Sequence, residues 1–263
     1  METPRTEGIS FSVALLTSFI DTLRKRLVAS AKNLSVAGFK SVVCYRTGLD
    51  VSAVPDPTAE GAALFGIYKQ FQSNVPVRLA DKPLNDLVVR TTLEVAAEYN
   101  KPGMVPFCFP SDSVQCPFLS PFNLYPLAVQ FHTGLGDADI TLTRASPAHL
   151  QPLIAANPQT IFVLLHASYP YMREGGYLTA VYKNVYFDIG EVFPAVSRGG
   201  QEALVRQVLE LTPTNKIMWS SELRPLCRVE TLRANCALAQ VMDIGGQRHT
   251  TWVVCRRAAR CPL

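Results

Sequence analysis

Two histidines carry the first chemical signal in this chain. His132 sits in FHTGLGD and His166 in LLHASYP, and each closes a short apolar run. Neutral imidazole binds zinc and other divalent ions and is also the commonest general base near neutral pH, so both roles are open to each ring. A third run, VYFDIGE, ends in Asp188, with Glu191 just beyond it. A single histidine at a strand end is most simply a satisfied structural side chain. Two on consecutive strands mean more, because neighbouring strands of a parallel barrel aim their terminal side chains at one mouth.

Competing motifs do not hold up. Gly134–Leu135–Gly136 follows a strand, but the third glycine of a dinucleotide fingerprint is missing, and Asp137 and Asp139 would repel a pyrophosphate. There is no GxSxG elbow and no Walker loop. Seven cysteines without a CxxC pair fit a reducing compartment and buried, apolar roles. His149, in SPAHLQ, is expected to be structural on an outer helix, and His249 is assigned no role.

The elements that must position these residues follow from periodicity. Val13, Leu16, Ile20, Leu23 and Leu27 recur at helical spacing and predict a helix over 10–29. FKSVVCYR (39–46) reads as a buried strand between Gly38 and Gly48. Helices are predicted over 57–73 and 83–100, the second opening at Asp81 and Pro83. Strand and helix then alternate. Strands are expected at 129–132, 160–166, 185–189 and 216–221, and helices near 146–156, 168–180 and 201–211. Such continuous hydrophobic strands suit a doubly wound sheet or part of a (β/α)₈ barrel, and periodicity does not choose between them.

Charge excludes some partners. Residues 1–221 carry 18 basic and 18 acidic side chains, so the net charge of +4 lies wholly in the last 42 residues. No face there alternates basic and aromatic residues, which argues against nucleic acid. The apolar run Phe11–Ile20 is too short to span a bilayer, and Arg24–Lys25–Arg26 follows it where a signal peptide needs charge ahead. A cytoplasmic protein without a membrane partner is expected.

Several blocks, in order, resemble one family. GFKSVVCYRTGLD (38–50), VQFHTGLGDADITL (129–142), the long segment 146–197 and LELTPTNKIMWSS (209–221) are similar to the amidohydrolase-related domain of fungal FluG-like proteins, where it often precedes a glutamine-synthetase-like domain. The resemblance implies an α/β fold, a TIM-like (β/α)₈ barrel of metal-dependent hydrolase type, of which this chain holds about strands four to eight. It implies a divalent ion at the mouth, zinc with manganese as the alternative. His132 takes the place of the fifth-strand metal ligand and His166 that of the sixth-strand catalytic base. Glu222 stands where the last-strand carboxylate is expected, and Lys40 and Asp188 are further mouth candidates. The implied reaction is hydrolysis of a C–N or related bond of a small molecule, by water that the ion has acidified.

The family pattern is incomplete in three places. No HxH pair occurs, so the early strands and two ligands are missing, and activity is expected to be impaired. Trp219–Ser220–Ser221 leads into Glu222, Leu223 and Arg224 instead of the family's closing motif. Residues 103–128 hold five Pro and Asp112 as their sole charge, interrupting what should be contiguous. Such a loop suggests a retained intron, whose removal would join Pro102 to Val129 in frame. The barrel fragment is therefore assigned to 1–221, with 222–263 an atypical, poorly ordered tail. The alternative is a non-catalytic fragment or regulatory remnant of a two-domain protein. A truncated barrel exposes strand edges, so self-association or a covering partner is expected.

Overall fold

The computed structural model describes residues 4–33, 36–99, 127–219, 240–241 and 252–256, with side chains described for 13–33, 36–99 and 127–219. Most of the segment 103–128, Glu222 and most of the tail therefore lie outside the described residues. The opening helix α1 (Pro4–Lys32) is longer than its apolar stripe predicts. Its Leu16 meets Leu64 of α2 (Pro57–Gln72) and Leu84 and Leu87 of α3 (Lys82–Glu98) in a small separate core, while Val13 is exposed.

Strand β1 (Val36–Ser41) starts earlier and stops sooner than FKSVVCYR suggests. Val43–Tyr45 instead form a 3₁₀ turn, because the amides of Arg46, Thr47 and Gly48 all return to the Val43 carbonyl. Four further parallel strands follow: β2 (Ala128–Phe131), β3 (Ile161–Leu164), β4 (Val185–Asp188) and β5 (Ile217–Met218). Between them lie α4 (Gln151–Ala156), α5 (Met172–Val181) and α6 (Arg198–Leu211). Two tail segments, β6 (Gln240–Val241) and β7 (Trp252–Arg256), complete a sheet ordered β5-β4-β3-β2-β1-β7-β6. β7 runs antiparallel along β1, so this edge of β1 is covered by the chain's own tail.

The pleat sorts side chains between two faces. Phe39, Val129, Phe131, Phe162, Leu164, Val185 and Phe187 join the large core with residues of the helices. Ala128, Ile161, Val163, Leu165, Tyr186 and Met218 form the opposite, inner cluster. Register stacks this inner face in layers, as in a barrel interior. Lys40, Gln130, Val163 and Tyr186 are aligned across four strands. The layer above contains His132, Leu165, Asp188 and Met218, since Phe131 pairs with Leu164, Leu164 with Phe187 and Asp188 with Met218. Ala128, the last residue of the suspected insertion, opens β2 opposite Gly38 and Ile161.

Local capping supports the frame. Asp56 caps α2 by accepting a hydrogen bond from the Ala59 amide (3.0 Å), while Glu60 accepts one from the Asp56 amide (3.1 Å). Asp56→Ala is expected to cost about 1 kcal/mol in urea unfolding, the usual cost of losing an N-cap, without moving the sheet.

Candidate active site at the mouth of the strands

Backbone hydrogen bonds carry the parallel ladder past the strand ends. The His132 amide donates to Ser41 O (3.1 Å) and the Leu165 amide to Phe131 O (3.1 Å), so the segments after β1, β2 and β3 stay side by side. The loops are then laced together. Thr133 Oγ1 donates to Leu165 O (2.6 Å) and lies 2.8 Å from Ser168 Oγ, and the Leu135 amide donates to Tyr169 O (2.7 Å). Gly134 makes this approach feasible. Its φ is +70°, and a Cβ there would lie 2.2 Å from Tyr169 O.

Both histidines are buried in this lacing, His132 at 7% and His166 at 1% exposure. His166 Nε2 lies 3.0 Å from His132 Nδ1, and the ring centroids are 4.5 Å apart. The strand before His166 ends at Leu164, earlier than the sequence predicts, because His166, Ala167 and Ser168 all adopt left-handed backbone (φ +65°, +51° and +49°). Each such residue costs about 1–2 kcal/mol in isolation, and strain of this kind gathers where a site must be aimed.

The protons on His132 can be placed by elimination. Nε2 lies 2.8 Å from Leu135 O, which only accepts, so Nε2 carries the hydrogen and, in the neutral ring, Nδ1 keeps the lone pair. Burial first, then the charge of His166 and that of Lys40, push the His132 pKa down to about 3, so the ring is neutral near pH 7. That is the tautomer a metal-binding histidine needs, with its second nitrogen held by a backbone carbonyl. Lys40, 7% exposed, lies one layer deeper on the inner face of β1, and Asp188, 2% exposed, ends β4 in the layer of His132. Glu222 falls outside the described residues.

Two neighbours were not assigned roles from sequence. Glu191 Oε2 makes a charge contact of 3.0 Å with His166 Nδ1. Tyr45 packs its ring against His132, with centroids 4.5 Å apart. Its hydroxyl lies over Gly136, where an added Cβ would meet it at 2.6 Å. Burial first, then Asp137 and Glu191 among nearby charges, raise the Tyr45 pKa, so the phenol keeps its proton. The strand-end rule points to Glu191, but Tyr45 lies beyond its strand on a turn that periodicity reads as more strand. Burial pushes the adjacent Cys44 thiol up to about 12, which removes it as a nucleophile. His149 is exposed on the 3₁₀ turn Pro147–Leu150 and contacts Thr143 O at 3.0 Å.

The fit to a divalent ion is partial. His132 Nδ1 is prepared as a donor, but it is already engaged by His166 Nε2. Among the described residues no group of three or more His, Cys, Asp or Glu is placed to hold an ion. The described part of the chain therefore offers a prepared ligand and a neighbouring ring, not a whole coordination shell.

Comparison with known proteins bears on the family and the fold. Over 193 residues, 72% of this chain, the sequence is 47% identical to protein fluG of Emericella nidulans. The chain spans about one fifth of that relative, 19% of its length. In fold it is similar to a crystal structure from Lactobacillus casei assigned as a metal-dependent hydrolase, with a TM-score of 0.57 and 23% identity. That likeness covers 80% of this chain and 49% of the other. The amidohydrolase family model matches residues 2–258, so the chain belongs to the amidohydrolase family.

Proposed function

We propose that this chain is a metal-dependent hydrolase domain that acts on a C–N or related bond of a small molecule, with activity impaired by its incomplete ligand set. The observation that carries the reading is the direct contact of His132 and His166 at the ends of adjacent parallel strands, with His132 Nδ1 set as a lone pair. Zinc is the ion proposed, with manganese as the alternative, and when bound it would acidify the attacking water. The chain's own residues do the remaining work. His132 supplies a neutral donor, His166 exchanges a proton with the reacting group, and the Tyr45 hydroxyl supplies a fixed hydrogen-bond donor beside them.

A second reading has its own support: the chain as a non-catalytic fragment or regulatory remnant of a two-domain protein. The His132–His166 bond occupies the atom that an ion would take, and the described residues supply no third ligand. No described helix is long and apolar enough to cross a membrane, and a cytoplasmic setting with no nucleic-acid partner is proposed with both readings. Association with a second copy or a partner is proposed for whatever strand edge stays uncovered.

Metal analysis of the purified chain separates the two. Hydrolase function predicts near-stoichiometric zinc or manganese. It also predicts that His132→Ala lowers metal affinity by more than the roughly 100-fold that loss of an outer-shell partner costs. Metal-free protein that refuses added zinc, with His132→Ala no different from the parent, would favour the remnant.

A further inference from the structure

The sheet is built differently on the two sides of β1. From β1 to β5 the strands run parallel, and each is reached from the last by a connection that crosses back over the sheet. On the far side the sense reverses: β7 runs antiparallel to β1, and β6 antiparallel to β7. The pairing is coextensive with β1. Trp252 faces Ser41 at the mouth end and Arg256 faces Val36 at the other. A register shift between Val36 and Gly38 puts an extra residue in β1 and pins the alignment.

Backbone pairing is also what holds the tail strand, since β7 packs chiefly on β1 and β6. Its sequence suits such an edge. Thr250 to Val254 are all β-branched or aromatic, as strands favour, and Arg256 and Arg257 close the run with charge. Antiparallel addition needs no crossover, so an extended segment reaches the edge equally well from the same chain or from another.

We propose that the outer edge of β1 is a strand-accepting site for an extended segment with the sequence of residues 252–256. The chain's own tail fills it in cis, and the tail of a second copy fits it in trans once the cis strand is disabled. While filled, the edge is closed to pairing with another molecule. The assignment uses neither His132 nor His166, so it stands apart from the hydrolase reading.

The test titrates a fluorescent peptide of residues 249–258 into the full-length chain under reducing conditions and reads anisotropy. In the parent the cis strand competes at high effective concentration, so the peptide is expected to bind weakly. Val253→Pro/Val254→Pro disables that strand. Successive strand residues aim their amides at opposite neighbours, so one of the two prolines removes a donor to β1. The peptide is expected to bind this variant at least about tenfold tighter than it binds the parent. A peptide carrying the same two prolines is expected to bind neither protein. Should the double-proline chain not fold, Val253→Gly/Val254→Gly weakens the strand without removing an amide, and a change in the same direction is expected. Parent-like affinity in a folded variant overturns the proposal, as does equal binding of the proline peptide. So does a variant that self-associates without taking the peptide, because its edge then prefers a different occupant.

Discussion

Metal-free protein is expected to lose about 3 kcal/mol of folding stability between about pH 7 and pH 4 through His132 alone. The sign follows from the direction of the shift. His132 titrates at about 3 in the fold, pushed down mainly by burial, against an ordinary value of 6.5. The unfolded chain therefore takes up a proton below about 6.5 that the folded chain refuses until about pH 3. Stability from this group is complete above the unfolded value and drains away as the pH falls through that window. Protonation would also put a hydrogen on Nδ1, against the Nε2–H of His166, and break the bond that joins the two strand ends. Carboxylates contribute to acid unfolding as well, so the decisive comparison is with His132→Gln, which keeps the volume and removes the titration. Urea unfolding across the window should show a flatter pH dependence in the variant. Equal slopes in the two proteins would sink the assignment.

Gly134→Ala is expected to cost about 4 kcal/mol, near the exceptional end for a single substitution, because it strains a special φ/ψ against fixed backbone. The new Cβ would lie 2.2 Å from Tyr169 O and 2.5 Å from the Ser168 carbonyl carbon. Both are backbone atoms, which cannot swing aside as a flexible side chain does. Positive φ adds a smaller penalty for alanine. To relieve the clash, the segment after β2 must separate from the segment after β3. The Leu135 to Tyr169 hydrogen bond, the Thr133–Ser168 contact and the facing of the two imidazoles would all go with it. Calorimetry reads the loss of stability, and ring-proton NMR reads the loss of the pair. A Gly134→Ala protein with the parent's midpoint and an intact His132–His166 bond would show that the loops are not packed as described.

The alternation of strand and helix was legible because buried parallel strands are uninterrupted apolar runs, and VQF, IFVL and VYF need no partner to declare themselves. Their ends were read less well. FKSVVCYR looks like one strand, yet it turns after Ser41, since three amides converging on one carbonyl is a tertiary event that composition does not announce. The same limit hid Tyr45, which reaches His132 only because of that turn. In IFVLLHASYP the apolar pattern continues to Leu165, and nothing in residue type signals that the next three residues are left-handed.

What residue order determined by itself was which groups are available and roughly where. His132 and His166 had to fall beyond consecutive strands, because the runs before them are the right length and are separated by a helix. Their separation, their tautomers and their partners were decided only by tertiary structure. Those depend on one carbonyl at Leu135, one missing Cβ at Gly134 and one carboxylate at Glu191. Hydrogen bonds between loops are set to tenths of an ångström by packing from several directions at once. Linear spacing carries no information at that scale.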